Sequence, residues 1–151
     1  MNKDNEIGKL QDILSTVRGA MGWSAEELGN RIGVTRQTIN NIERRRTDLS
    51  KTQYIAIRSV IDAEIASEKT CDSEMVTYLL DAFVDRPECY PAEQREQMLA
   101  KAKLLTPAIL ADSSTRKEAT EEWLKTVGLI AGAVLAAGAS ALWISKLIRS
   151  K

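Results

Sequence analysis

The chain of 151 residues contains no histidine. Mechanisms that use an imidazole as general base or metal ligand are therefore excluded, and most hydrolase constellations go with them. Cysteine is nearly absent too: Cys71 and Cys89 stand about eighteen positions apart, with no second pair to complete a tetrahedral zinc site. They are expected to be free thiols in a reducing compartment, with a redox-sensing pair as the second reading. Aromatic residues make up only 5% of the chain, and no stretch alternates β-branched with polar residues. Ala, Leu, Glu, Lys, Gln and Arg dominate instead, which is the composition of helices. These deficits predict an all-α protein that uses no metal and no cofactor and is not an enzyme. The first ten residues, MNKDNEIGKL, lack the apolar core of a secretory signal, so the front of the chain is expected in the cytosol.

Charge is plentiful, at 28% of residues, and balances to zero. It is unevenly placed. Arg31 to Arg58 carries seven basic and two acidic residues, whereas Ser67 to Lys125 carries eight basic and twelve acidic ones. A basic patch thus precedes an acidic middle.

Helical periodicity begins near Asn5, with Ile7, Leu10, Ile13, Leu14 and Val17 on one stripe that should end at Arg18-Gly19. Ser24 stands three residues before Glu27 in the S-x-x-E pattern of a capping box, so a second helix opens there and ends at Gly33. Thr35 is suited to cap a third helix with Ile39 and Ile42 inward and Arg36, Gln37, Asn40 and Asn41 outward. Ser50 caps a fourth, in which Tyr54, Ile57 or Arg58, Ile61 and Ile65 recur at helical spacing. Two further helices are expected over Ser73 to Val84 and Pro91 to Leu105, followed by a break from Thr106-Pro107 and a polar linker.

A helix, a short turn with glycine, and a helix with a polar outer face make the spacing of a helix-turn-helix. The run LGNRIGVTRQTINNIERRR resembles the phage-repressor (Xre or Cro-like) helix-turn-helix family, whose pattern is E-L-A-x-x-x-G-V-S-x-x-T-I-S-x-x-E, over roughly Ile7 to Ile65. The resemblance implies that Leu28, Ile32, Val34, Ile39 and Ile42 are core, and that the third helix enters the major groove of double-stranded DNA. Arg36, Gln37, Asn40 and Asn41 would then read bases, since Arg can bracket guanine and Gln or Asn adenine. Thr35, Thr38, Arg44, Arg45, Arg46 and Lys51 suit phosphate. Two positions depart from the family pattern. Arg45 stands where a glycine is usual, which should reshape the bend after the third helix. Gly29 replaces an alanine, at a helix cost of about 1 kcal/mol.

Near the end, Val127 to Ile144 reads VGLIAGAVLAAGASALWI, and twenty uncharged residues separate Lys125 from Lys146. As one helix these would reach about 30 Å, the thickness of a bilayer's hydrocarbon core. Trp123 and Trp143 bracket the run like interfacial anchors, and Gly128, Gly132, Ala136 and Ser140 fall four apart on one face where a second helix could pack. The expected layout is therefore a helix-turn-helix domain of four to five helices (1–67), a helical middle (68–112), a linker (113–122), a transmembrane helix (123–146) and a basic tail (147–151). This describes a homodimeric or higher homo-oligomeric DNA-binding transcriptional regulator, held in inner-membrane lipid by a single pass with its N-terminal domain cytoplasmic. Two alternatives stand beside it. One is a membrane-active or oligomerising effector with a helix-turn-helix head. The other is a soluble repressor or antitoxin whose C-terminal helix is an oligomerisation helix buried in an oligomer core.

Overall fold

The computed structural model describes residues 5–67, 73–112, 115–130 and 142–149, and every regular element among them is helical. Helix α1 (Glu6–Ala20) opens at Asn5, whose side chain accepts a hydrogen bond from the Gly8 amide at 3.0 Å. Its Leu10, Ile13, Leu14 and Val17 are buried, as their spacing requires. The helix runs past Gly19, and it is Gly22, at φ 81°, that takes the left-handed turn. Gly19 has another role, because a β carbon there would lie 2.9 Å from that of Thr106. Its bare backbone lets a later helix cross closely.

Helices α2 (Ala25–Ile32), α3 (Arg36–Glu43) and α4 (Lys51–Ser67) follow in close succession. Helix α5 (Glu74–Leu80) is buried on every side, and its last turn widens into a π-helical turn over Asp81–Asp85, closed by the Arg86 amide donating to the Asp81 carbonyl at 2.7 Å. A short 3-10 turn (Pro87–Cys89) leads to α6 (Ala92–Ala111).

The break expected at Thr106-Pro107 does not occur, and α6 continues through Pro107. Proline has no N–H for the carbonyl four residues back, that of Lys103. The Thr106 hydroxyl donates to this carbonyl at 3.4 Å and partly takes the missing place. Helix α7 (Arg116–Val127) takes in part of the segment read as a linker, and α8 (Leu142–Arg149) is the last element. α6 lies along α1, and α7 along α6, so the buried side chains of the head and of the later helices form one continuous core.

The transmembrane helix expected over 123–146 is not what the chain builds. Among the described residues no helix is long and apolar enough to cross a membrane. α7 ends at Gly128, which turns left-handed at φ 75° while the Leu129 amide closes onto the Leu124 carbonyl at 2.9 Å. Neither indole stands at a headgroup boundary. Trp123 is fully buried and donates to the Met98 carbonyl at 2.9 Å, while Trp143 donates to Asp62 at 2.6 Å and meets the Tyr54 ring edge-on at 5.9 Å. Gly128 is thus a helix cap and not part of a packing stripe; Gly132, Ala136 and Ser140 lie outside the described residues. The single-pass inner-membrane placement is corrected on the same grounds: an apolar, tryptophan-flanked sequence suits a protein interior as well as it suits lipid, and here both tryptophans are satisfied by protein.

Candidate nucleic-acid interface

The α2–turn–α3 unit is fixed by its caps. Ser24 accepts from the Glu27 amide at 3.1 Å while the Glu27 carboxylate accepts from the Ser24 amide at 2.9 Å, completing the capping box. Gly33 closes α2 in the left-handed conformation at φ 81°, and the Thr35 side chain caps α3 by accepting from the Thr38 amide at 3.1 Å. Within α2, Gly29 is there for space. A β carbon on it would come within 2.7 Å of the Val34 carbonyl oxygen, so the turn can close onto α2 only over a bare backbone. The helix cost expected at this position is the counterpart of that close approach.

Helix α3 divides cleanly. Ile39 and Ile42 are fully buried, whereas Arg36 and Gln37 are exposed and Asn40 and Asn41 half-buried. Gln37 donates to the Asn41 side-chain oxygen at 3.1 Å, one turn along the same face. The four base-reading candidates therefore lie on one helix of eight residues, the length of two turns. Arg36 and Asn40 also border a recess beside Arg18, Ser24 and Glu27, with Leu110 of α6 at its rim.

Among the phosphate candidates, Thr35, Arg44, Arg46 and Lys51 are exposed and Thr38 is half-buried, its hydroxyl 3.0 Å from that of Thr35. Arg45 differs from them. It adopts the left-handed conformation at φ 60°, the geometry a glycine would supply at this position, and its guanidinium pairs with Asp12 of α1. Arg45 thus takes a glycine-like backbone at an energetic cost of about 1–2 kcal/mol.

Three polar residues of α1 that the sequence reading passed over hold this surface from behind. Arg18 forks onto both oxygens of Glu43 at 2.7 and 3.1 Å and also donates to the Trp23 carbonyl at 2.8 Å. Asp12 receives Arg45. Gln11, only 5% exposed, donates to the carbonyls of Ile42 and Thr47 at 2.9 and 2.8 Å and accepts from the Leu49 amide at 3.1 Å. The signal was present in the pattern: Gln11 is a polar residue between Leu10 and Leu14 on the inward stripe.

Behind α4 sits a buried charge cluster. Arg58 pairs with Asp85 through two bonds of 2.9 Å, lies 5.2 Å from the centre of the Trp143 ring, and donates to the Tyr54 hydroxyl at 3.3 Å. Burial works against the Arg58 charge, but the bonds and charge of Asp85 outweigh it and hold the guanidinium above its ordinary value. Burial likewise pushes the Tyr54 phenol up to about 12, with Arg58 pulling the other way. Asp62 is raised by burial, an effect opposed by the Trp143 N–H and by Arg58.

Residues 14–66 match the helix-turn-helix family, the same stretch in which the phage-repressor pattern was read. The class so defined is a protein with an N-terminal helix-turn-helix domain whose regular elements, among the described residues, are all helical. No curated protein and no solved structure matches the chain.

Proposed function

We propose that this protein is a sequence-specific regulator of transcription that binds double-stranded DNA through α3. The observation that carries the reading is the polar face of exposed Arg36 and Gln37 and half-buried Asn40 and Asn41 on the second helix of a capped helix-turn-helix that matches the family. Arg36 and Gln37, at the start of α3, would meet base edges first, with Asn40 and Asn41 one turn behind. Thr35, Thr38, Arg44, Arg46 and Lys51 would contact phosphates and set the register. Arg45 would serve the interface through its tie to Asp12 more than through phosphate. Two such heads, one on each of two paired chains, would occupy half-sites about one DNA turn apart. One face of its C-terminal helix is covered by protein, since Trp143 and Leu147 of α8 are buried while Ile144 and Ile148 are exposed, which favours a regulator whose tail packs against the fold.

The test is selection of bound sequences by the full chain from a pool of random duplexes, followed by titration of variants. Arg36→Ala and Gln37→Ala should each cost about 1–3 kcal/mol and relax the preference at one base pair. Arg44→Ala and Lys51→Ala should weaken all duplexes alike and lower the salt slope by about one. A pool that never enriches, or Arg36 and Gln37 variants that select the wild-type site with unchanged affinity, would refute the proposal.

A further inference from the structure

We propose that Gln11 is a positioning residue for DNA binding, holding the end of the reading helix and the arginine loop behind it in one fixed relation. The inference builds on the DNA-binding reading above and assigns to α1 a part in it.

The Gln11 amide is shut away from water and is used from both ends. Its nitrogen serves the Ile42 carbonyl, in the last turn of α3, and the Thr47 carbonyl, beyond the loop. Its oxygen takes the Leu49 amide, where the chain turns toward α4. The first of these is a helix-end carbonyl whose backbone partner is the Arg45 amide, 3.1 Å away in the arginine loop itself. A leucine at this position would suit the surrounding core better, yet it would take the side-chain partner from the Leu49 amide and the Thr47 carbonyl and leave the Ile42 carbonyl to the Arg45 amide alone. The side chain present is therefore the one that the loop needs and the core does not.

Arg44, Arg45 and Arg46 leave the chain between the anchored points. Arg45 is in a strained backbone conformation, and such conformations persist only where the surroundings enforce them. Gln11 supplies that enforcement from within the core, while the Asp12 pair and the Gly8 carbonyl, 3.5 Å from Arg45, add to it at the surface. Released from Gln11, the loop could relax, and Arg44 and Arg46 would lose their fixed distance from the bases read by Arg36 and Gln37.

The experiment compares the salt dependence of binding to the selected duplex for the full-length wild-type and Gln11→Met proteins, each shown to be folded by circular dichroism. Gln11→Met should lower the slope of log affinity against log salt by about one to two, each phosphate contributing about 0.9, while the preferred bases stay the same. Ile109→Val serves as a control for general destabilisation. This side chain is buried at the far end of α1, near Gly22, and its variant should keep the full slope. Should Gln11→Met fail to fold, Gln11→Asn keeps the amide but falls one methylene short, and should show the same loss. A wild-type protein that binds no duplex selectively overturns the DNA reading itself. Selective wild-type binding with an unchanged slope in the Gln11 variant overturns the positioning role alone.

Discussion

The two arms of Arg58 meet the two oxygens of Asp85 at 2.9 Å each, with both side chains less than 5% exposed. Arg58 belongs to the segment matched as a helix-turn-helix and Asp85 to the π-helical turn beyond it, so one buried ion pair joins the head to the helices that follow. Among the described residues the Arg58 Nε has no hydrogen-bond partner, and the guanidinium rests on Asp85, Tyr54 and the Trp143 ring.

Removing one partner should strand the other. Asp85→Ala is expected to destabilise the protein by about 3–5 kcal/mol in urea denaturation, since it leaves a cation in the core. The double variant Arg58→Met with Asp85→Leu should recover most of that loss. Equal instability of the single and double variants would show that the charge is not the cause.

Gly29→Ala sets helix propensity against space. Alanine gains about 1 kcal/mol as a helix former, but its β carbon would press on the Val34 carbonyl at 2.7 Å. Overpacking of this kind costs about 1–3 kcal/mol, so the variant should melt at a lower temperature than the wild type in scanning calorimetry. A stabilised variant would mean that the turn can shift freely.

At Arg45 the test is a comparison of two substitutions that both remove the Asp12 pair. Because the backbone is left-handed at φ 60°, Arg45→Gly should be more stable than Arg45→Ala by about 1 kcal/mol in chemical denaturation. In the interior of a helix the order would be reversed.

Asp62 offers a prediction in pH. Burial raises its carboxyl above the ordinary carboxylate value, while the Trp143 N–H and Arg58 act the other way and Asp85 adds to the rise. The folded state therefore holds this proton more tightly than the unfolded chain. Its contribution is complete below the unfolded value of about 3.9 and is lost as pH rises through the folded value. Asp62→Asn keeps an oxygen for the Trp143 N–H and cannot ionise. Its melting temperature relative to wild type should thus be more favourable at pH 7 than at pH 4, and a gap that does not change with pH would refute the assignment.

Much of the head was legible because its signals are local. Ser24 and Glu27, Gly33, and Thr35 each mark a helix boundary by their own chemistry, and Ile39 and Ile42 mark the inner face by spacing alone. The tail was misread because apolarity is not specific to its solvent. Trp123 and Trp143 satisfy their N–H groups on Met98 and Asp62, partners 25 and 81 positions away that no local pattern could announce. Pro107 misled for a related reason, since the hydroxyl of the preceding threonine covers the carbonyl that proline leaves bare. In the interface the outward residues of α3 could be read, but the inward support could not. Gln11 and Arg18 act over 25 positions or more, where sequence shows only an isolated polar residue in a stripe and an unpaired charge.

The π-helical turn at Asp81–Asp85 sets how the middle of the chain is phased. A π turn is an α-helix with one residue too many, so deleting a single residue there would let the helix rewind to its usual pitch. Every side chain beyond the deletion would then swing by about 100°, and the Asp85 carboxylate would sweep away from α4. One surplus residue thus works as an angular spacer, and the register of the later helices against the head depends on keeping it.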